Sequence, residues 1–237
     1  MTETRRKYGV PGKSEKMSFF ATLRFFLKNP ELNFRRLRRG QFRGTLRLLE
    51  ELAFSYGEKD REIYSSQYGQ DKFVAEYLFP EKNRGIFVDV GANDGVTLSN
   101  SLFFEKQRSW TGLCVEPLPE IFEKLREARE RAFCENVCVS QREGTLDFAM
   151  VEGGDMLSGI VETMDKRHHR RIEKEKGHVA ILRLPSLRLQ TLLEKYNLDH
   201  VDFLSIDTEG SELEVLHSLD FEKTKVGVVC VENNSGR

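Results

Sequence analysis

Apolar residues in the C-terminal three quarters of the chain occur in short continuous runs, separated by amphipathic stretches. The main runs lie at residues 86–90, 111–115, 132–139, 201–206 and 226–231. Short runs without internal alternation predict strands that are buried on both faces, and the stretches between them predict helices. We therefore expect an α/β fold with a mostly parallel sheet and helices on both faces.

The remaining segments of this part fit the same architecture. We expect helices at about 61–80, 98–106, 119–131 and 212–219, a strand at 145–151, and a strand followed by a short helix within 179–196. Residues 152–178 are polar and contain glycine, which predicts a long loop.

The first 60 residues are predicted to be a partly helical, basic extension, and residues 61–237 the main domain. Apolar residues recur at helical spacing from Ser18 to Leu27. Residues 1–47 carry 13 Lys or Arg against 3 Asp or Glu, whereas the rest of the chain carries 24 against 35. This asymmetry leaves two interpretations: residues 17–47 make a peripheral contact with an anionic membrane surface, or they pack on and neutralise their own domain.

Composition and cysteine usage narrow the class of protein. Hydrophobic residues make up 39% of the chain, enough for a sizeable core. The four cysteines, Cys114, Cys134, Cys138 and Cys230, form no CxxC pair and are expected to be reduced and buried. No apolar run approaches the roughly 20 residues that cross a bilayer, so we expect a cytoplasmic protein.

The sharpest chemical signal is DVGANDG at residues 89–95, where an apolar strand turns through two glycines into a helix. Ligands bind at the carboxyl ends of parallel strands, and glycine allows the backbone to approach them closely. Glu116 ends the next strand, where a carboxylate can accept hydrogen bonds from both hydroxyls of a ribose. This pattern predicts a nucleoside that lies across the first two strands.

Two features favour S-adenosylmethionine over a dinucleotide as the ligand. The loop lacks the GxGxxG arrangement that binds a pyrophosphate. Asp89 would repel a pyrophosphate but suits the amino group of a methionine. An NAD-dependent sugar-modifying enzyme remains the alternative.

The chain resembles the FkbM-type methyltransferases, which use S-adenosylmethionine. The resemblance rests on DVGANDG at 89–95, CVEP at 114–117, ENVCVS at 135–140 and FLSIDTEGSELEVL at 203–216, and SQYGQDKFV at 66–74 fits as well. It implies a class I, Rossmann-like methyltransferase fold and O-methylation of hydroxyl groups. It also implies two further strands after the one that ends near Glu232; the sequence stops at Arg237, so either it is truncated there or those strands are missing.

The resemblance assigns the cofactor-binding residues. Asp89 and Gly91 would hold the methionine portion, Asn93 and Gly95 would line the loop, and Glu116 would bind the ribose. Asn136 and Val137 would flank the adenine, and Gln70 would touch the methionine end.

Asp207 and Glu209 are the candidate catalytic residues, because they end the fourth principal strand beside the expected methyl group. They could act as a base, bind a cation or bind substrate hydroxyls. The alternative is that this segment only caps the next helix, through Thr208 or Ser211 with Glu212 or Glu214. Glu232 is a further candidate. No metal ligands are assigned, since His168 and His169 lie adjacent in a basic segment without metal-site spacing.

We therefore predict an S-adenosylmethionine-dependent O-methyltransferase that acts on a small molecule, such as a sugar, a glycolipid or a related natural product. A methyltransferase-like scaffold without activity, which binds membrane or RNA, is the non-enzymatic alternative. Nucleic acid is the less favoured partner, because aromatic residues are not interleaved with charge in the basic arm.

Overall fold

The computed structural model describes residues 24–26, 56–151, 158–163 and 178–232. These residues form ten strands in two sheets, with helices between them. The strands are β1 Arg24–Phe26, β2 Ile86–Val90, β3 Thr111–Val115, β4 Ala132–Glu135, β5 Cys138–Val139, β6 Gly144–Val151, β7 Gly159–Ile160, β8 Val179–Leu187, β9 His200–Ile206 and β10 Lys225–Val231. The helices are α1 Gln70–Phe73, α2 Leu102–Arg108, α3 Pro119–Ala128, α4 Leu189–Lys195 and α5 Glu212–His217.

The larger sheet confirms the predicted mostly parallel arrangement. Its strand order is β1-β10-β9-β2-β3-β4. Every pair from β10 to β4 is parallel, and β1 runs antiparallel to β10. The carboxyl ends of β2, β3, β9 and β10 therefore meet at one edge, where the candidate residues lie.

Each face of this sheet carries its own apolar core, because successive side chains of a strand point to opposite faces. Phe87 and Phe203 belong to one core together with Phe104 and Trp110. Val88 and Leu204 belong to the other, with the leucines of α4. Burial on both faces explains why these strands are continuous apolar runs in the sequence.

The smaller sheet has the order β5-β8-β6-β7. The strand predicted at 132–139 is in fact two strands: β4 ends at Glu135 in the larger sheet, and β5 begins at Cys138 and pairs with β8. The predicted loop at 152–178 contains β7 and a short 3₁₀ turn at Val161–Thr163.

The segment at 61–80 is less helical than its pattern predicts. It contains a 3₁₀ turn at Asp60–Glu62, the four-residue α1 and a π-helical turn at Val74–Leu78. Tyr56 is already buried in the core. The domain boundary at residue 60 stays a prediction.

The N-terminal extension differs from its predicted helix where the structure describes it. Residues 24–26 form β1, which pairs with Val229–Val231 of β10. A segment with apolar residues at helical spacing can also form a strand when an unpaired sheet edge lies nearby. The edge then provides hydrogen-bond partners for the N–H and C=O groups of the segment. Strand β1 therefore covers part of this edge of the sheet. Residues 1–23 and 27–55, and with them most of the proposed membrane contact at 17–47, lie outside the described residues.

The cysteines agree with the sequence-based expectation. All four are free thiols, and Cys114, Cys138 and Cys230 are buried. Burial raises the pKa of Cys134 to about 11, so its reactive thiolate form is scarce. Within the described part of the chain, no helix has the length and apolar character to span a membrane.

Candidate active site

The glycine-containing loop after β2 makes direct contact with the end of β9. Gly91 has a φ of 84°, and a Cβ atom on it would lie 1.8 Å from the carbonyl oxygen of Asp207. The amide of Asp207 donates to the carbonyl oxygen of Val90 at 2.9 Å. We expected glycine here so that a ligand could approach, and the structure shows an additional reason, which is the close approach of Asp207.

Gly95 serves the packing of the same loop. It has a φ of 75°, and a Cβ atom there would lie 2.7 Å from Cδ1 of Leu125 on α3. Between the two glycines, Asn93 also has a positive φ, 50°. The Asp94 carboxylate accepts the amides of Val96 and Thr97 at 2.9 and 2.7 Å, which closes the turn.

Glu116 is held in a fixed orientation at the end of β3. Its side chain is mostly buried, with 7% exposure. One carboxylate oxygen accepts the amide of Asn93 at 3.1 Å, and the other accepts the amide of Leu118 at 3.0 Å. The carboxylate thus joins the glycine loop to the segment after β3, and hydrogen bonds from a ribose would reach a group that is already oriented.

Asn136 and Val137 lie between β4 and β5, next to this segment. The Asn136 side-chain amide donates to the carbonyl oxygens of Glu116 and Pro117 at 2.8 and 2.9 Å. Val137 is buried in the core of the face that contains α4. Asn136 therefore fixes the chain beside Glu116, and its assignment to the adenine stays a prediction.

Asp89 lies deeper than its predicted role suggests. It is 3% exposed and accepts the Ser101 hydroxyl at 2.5 Å. Burial raises the pKa of Asp89, while hydrogen bonds from Ser101 and Ser205 and the charge of Arg129 act in the opposite direction. Its contact with a methionine portion stays a prediction.

Gln70 begins α1, and its side chain is also buried. Its Oε1 atom accepts the amide of Tyr68 at 2.9 Å. Among the described residues no hydrogen bond uses its Nε2 atom, so a donor remains for the ligand that we expect at this position.

Three carboxylates converge at the ends of β9 and β10. Asp207, Glu209 and Glu232 each offer an oxygen atom, and these oxygens lie within 4.8 Å of one another. Burial raises the pKa of Asp207 well above its usual range, and the charges of Glu232, Glu209 and Glu212 raise it further. Such a cluster can hold a proton, a cation or the hydroxyl groups of a ligand.

The alternative role, capping of the helix that follows this segment, fits Glu212 rather than Asp207 or Glu209. Glu212 accepts the amides of Gly210 and Thr208 at 2.8 and 3.3 Å. Ser211 occupies the N-cap position of α5 without a side-chain capping bond. Glu209 has a φ of 52°, which lies in the left-handed region. Residues other than glycine adopt this backbone conformation mainly where the surrounding structure imposes it.

The segment after β7 of the smaller sheet lies beside the loop between β9 and α5. The carbonyl oxygen of Thr163, at the end of the 3₁₀ turn after β7, lies 3.7 Å from the position of a Cβ atom on Gly210. Ser158 is buried and accepts the amide of Val151 at 3.0 Å. Histidines 168 and 169 lie outside the described residues.

A buried polar network beneath the glycine loop was not predicted. Arg129 donates from Nε to the Glu105 carboxylate at 2.6 Å. It also donates to Ser101 Oγ at 3.0 Å and to the carbonyl oxygen of Gly95 at 3.1 Å. Arg129 follows a charged amphipathic helix, so in the sequence it looks like an ordinary exposed residue. Its burial becomes visible only when α3 is packed against α2 and the loop.

One protein family has a sequence model that matches this chain. It is described as the methyltransferase FkbM domain, and it matches residues 89–237. The match begins at Asp89 and includes Glu116, Asn136, Asp207 and Glu232. Comparison with curated proteins and with solved structures gave no match.

Proposed function

Because the chain belongs to the FkbM methyltransferase family, we propose that it transfers a methyl group from S-adenosylmethionine to a hydroxyl group of a small molecule. The acceptor we propose is a sugar, a glycolipid or a related natural product. The observation that carries the proposal is the contact between Gly91 and Asp207, since it joins the glycine loop to the three converging carboxylates.

The residues at the strand ends suit this cofactor. Glu116 would accept the ribose hydroxyls, because backbone amides already orient its two oxygens. Asp89 and Gln70 would hold the methionine end, and Asn136 and Val137 would border the adenine. The cofactor supplies an activated methyl group on a sulfonium, so the protein has to position the acceptor and remove its proton.

We assign proton removal to Asp207, with Glu209 and Glu232 as its partners. A carboxylate whose pKa is raised is a stronger base than an ordinary one and suits the removal of a hydroxyl proton near neutral pH. The neighbouring carboxylates also favour uptake of the proton, because protonated Asp207 relieves their mutual repulsion.

A methyl-transfer assay tests this assignment. We expect Asp207→Asn to lower the transfer of tritiated methyl groups to a panel of sugars, glycosides and glycolipids by about 10²- to 10⁴-fold. The wild-type rate should rise with pH, since the raised pKa keeps Asp207 protonated at lower pH, and the variant should lose this dependence.

Two controls separate the possible roles of the cluster. Asp147→Asn changes an exposed carboxylate that pairs with Arg183 on the smaller sheet, and it should leave the rate unchanged. A wild-type rate that falls with a chelator and returns with Mg²⁺ would assign a cation to the cluster. Full activity of Asp207→Asn would show that proton removal occurs elsewhere.

A further inference from the structure

One buried side-chain polar atom of the described residues has no hydrogen-bond partner, and its amide group bonds Ser205, the neighbour of Asp89 in the sheet. This atom is Oδ1 of Asn100. Its residue is 8% exposed and belongs to the segment between the glycine loop and α2. A buried acceptor without a donor is unfavourable, so such atoms usually have a partner that the protein itself does not supply.

The orientation of the Asn100 amide follows from its neighbours. Its Nδ2 atom donates to Ser205 Oγ at 3.0 Å. A hydrogen bond from the Ser205 hydroxyl lowers the pKa of Asp89, and that interaction uses the one proton of the hydroxyl. Ser205 must therefore receive its bond from the NH₂ group of Asn100, and the oxygen of that amide points away from Ser205 without a donor.

The charges around this atom are also unbalanced. Asp89 and Glu105 are carboxylates, and the cation beside them, Arg129, has its Nε–H bonded to Glu105 at 2.6 Å. Burial raises the pKa of Asp89. This direction is expected if Arg129, which Asp89 shares with Glu105, compensates the negative charge of Asp89 only in part. One further positive charge with N–H donors would balance the group and satisfy the free acceptor.

The group lies at the ligand-binding edge of the sheet. Asp89 and Ser205 are paired in register on β2 and β9, one residue before each strand ends. Parallel sheets bind their ligands beyond these ends. Asn100 belongs to the segment that follows the glycine loop, and its bond to Ser205 brings its amide to this end of the sheet, where we propose that the methionine end of the cofactor binds.

We propose that Asn100 is a cofactor-binding residue, whose Oδ1 atom accepts an N–H from the ammonium group of the methionine portion while Asp89 supplies the opposite charge. This inference rests on the proposed function. Protein atoms cover the oxygen, so the proposal includes a side-chain displacement that uncovers it when the ligand enters. Asn100, Ser205 and Asp89 would then discriminate cofactor analogues by their amino group.

Calorimetric titration with two ligands tests the proposal. The ligands are S-adenosylhomocysteine and its deaminated analogue, which keeps the adenosine, the sulfur and the carboxylate. We expect Asn100→Ala to weaken S-adenosylhomocysteine about tenfold or more, since a hydrogen bond to a charged group is lost. The deaminated analogue should bind the variant within about twofold of wild type.

Asn136→Ala is the matched control, because it also removes a side-chain amide but lies beside Glu116. It should weaken both ligands equally. Asn100→Ser, which keeps a small polar side chain, should show the same selective loss as Asn100→Ala and serves if the alanine variant does not fold.

The outcomes are distinct. An equal loss of both ligands would show that Asn100 acts on the fold alone, and unchanged affinity for both would mean that a buried water satisfies Oδ1; either result overturns the proposal. Failure of folded wild-type protein to bind either ligand would overturn the proposed function, and this assignment with it.

Discussion

At the scale of single residues, the site depends on one close backbone contact and on one carboxylate that lies among others. Gly91 brings the backbone of the glycine loop against the carbonyl group of Asp207. Asp207 places a carboxylate among other carboxylates with reduced access to water. Both features arise where the glycine loop meets the end of β9, and each has a measurable consequence.

Replacement of Gly91 by alanine should unfold or strongly destabilise the protein. The Cβ atom would lie 1.8 Å from the Asp207 carbonyl oxygen, and the residue has a positive φ. We expect a loss of about 2–4 kcal/mol in the free energy of unfolding, measured with urea. Gly144→Ala is the control: its φ is 124°, but nothing lies within 4 Å of the new atom, so it should cost only about 1 kcal/mol. Equal losses would contradict the role of the close approach.

Replacement of Asp207 by asparagine should stabilise the protein while it impairs methyl transfer. Because the pKa of Asp207 is raised in the folded state, the folded protein binds this proton more tightly than the unfolded chain. Stability is therefore lost as the pH rises from the unfolded pKa to the folded one, and the neutral side chain should restore about 1 kcal/mol near pH 7.

Asp202, a buried carboxylate that is bonded to a cation, provides the comparison for this prediction. Asp202 accepts Lys82 Nζ at 2.6 Å and the amide of Ile86 at 2.9 Å. Asp202→Asn should therefore lower the urea midpoint, whereas Asp207→Asn should raise it. A lower midpoint for both variants would mean that the Asp207 carboxylate is compensated in the folded protein.

At the scale of elements, α3 determines the position of the glycine loop through its C-cap residue, Arg129. The guanidinium joins Glu105 on α2 to the carbonyl oxygen of Gly95. Its side chain and that of Glu105 are fully buried. Two helices that look amphipathic and independent in the sequence are therefore connected beneath the cofactor loop.

Arg129→Met should cost about 3–5 kcal/mol in the free energy of unfolding, since it leaves the Glu105 charge buried without a cation. The double variant Arg129→Met with Glu105→Gln should be clearly more stable than the sum of the single losses predicts. Urea unfolding of the wild type, the two single variants and the double variant measures the interaction between Arg129 and Glu105. Strictly additive losses would show that the two groups do not interact.

At the scale of the whole molecule, the sequence predicts the central sheet well. The strand at 111–115 was predicted with its observed bounds, since a fully buried parallel strand is a continuous apolar run. The parallel direction of the strands from β10 to β4 also follows from the alternation of strands and helices. These features are local in the sequence, so pattern alone identifies them.

The less predictable features depend on contacts between distant residues. The break between β4 and β5 occurs because β5 pairs with β8, whose partner residues lie 48 positions further along the chain. Strand β1 forms where the helical pattern meets the edge of β10. At the site, Asp207, Glu209 and Glu116 could be chosen from their strand-end positions, whereas Asn100 and Arg129 could not, because their side chains look like ordinary polar surface residues until the elements are packed.

The most direct test of the whole account is a calorimetric titration of the full chain with S-adenosylmethionine, S-adenosylhomocysteine and NAD, repeated with Glu116→Ala. We expect the first two to bind with micromolar affinity, NAD to show no binding, and the variant to lose about tenfold or more, because the oriented carboxylate is gone. Binding of NAD in place of S-adenosylmethionine, or equal affinity of the variant for the cofactor, would contradict the account.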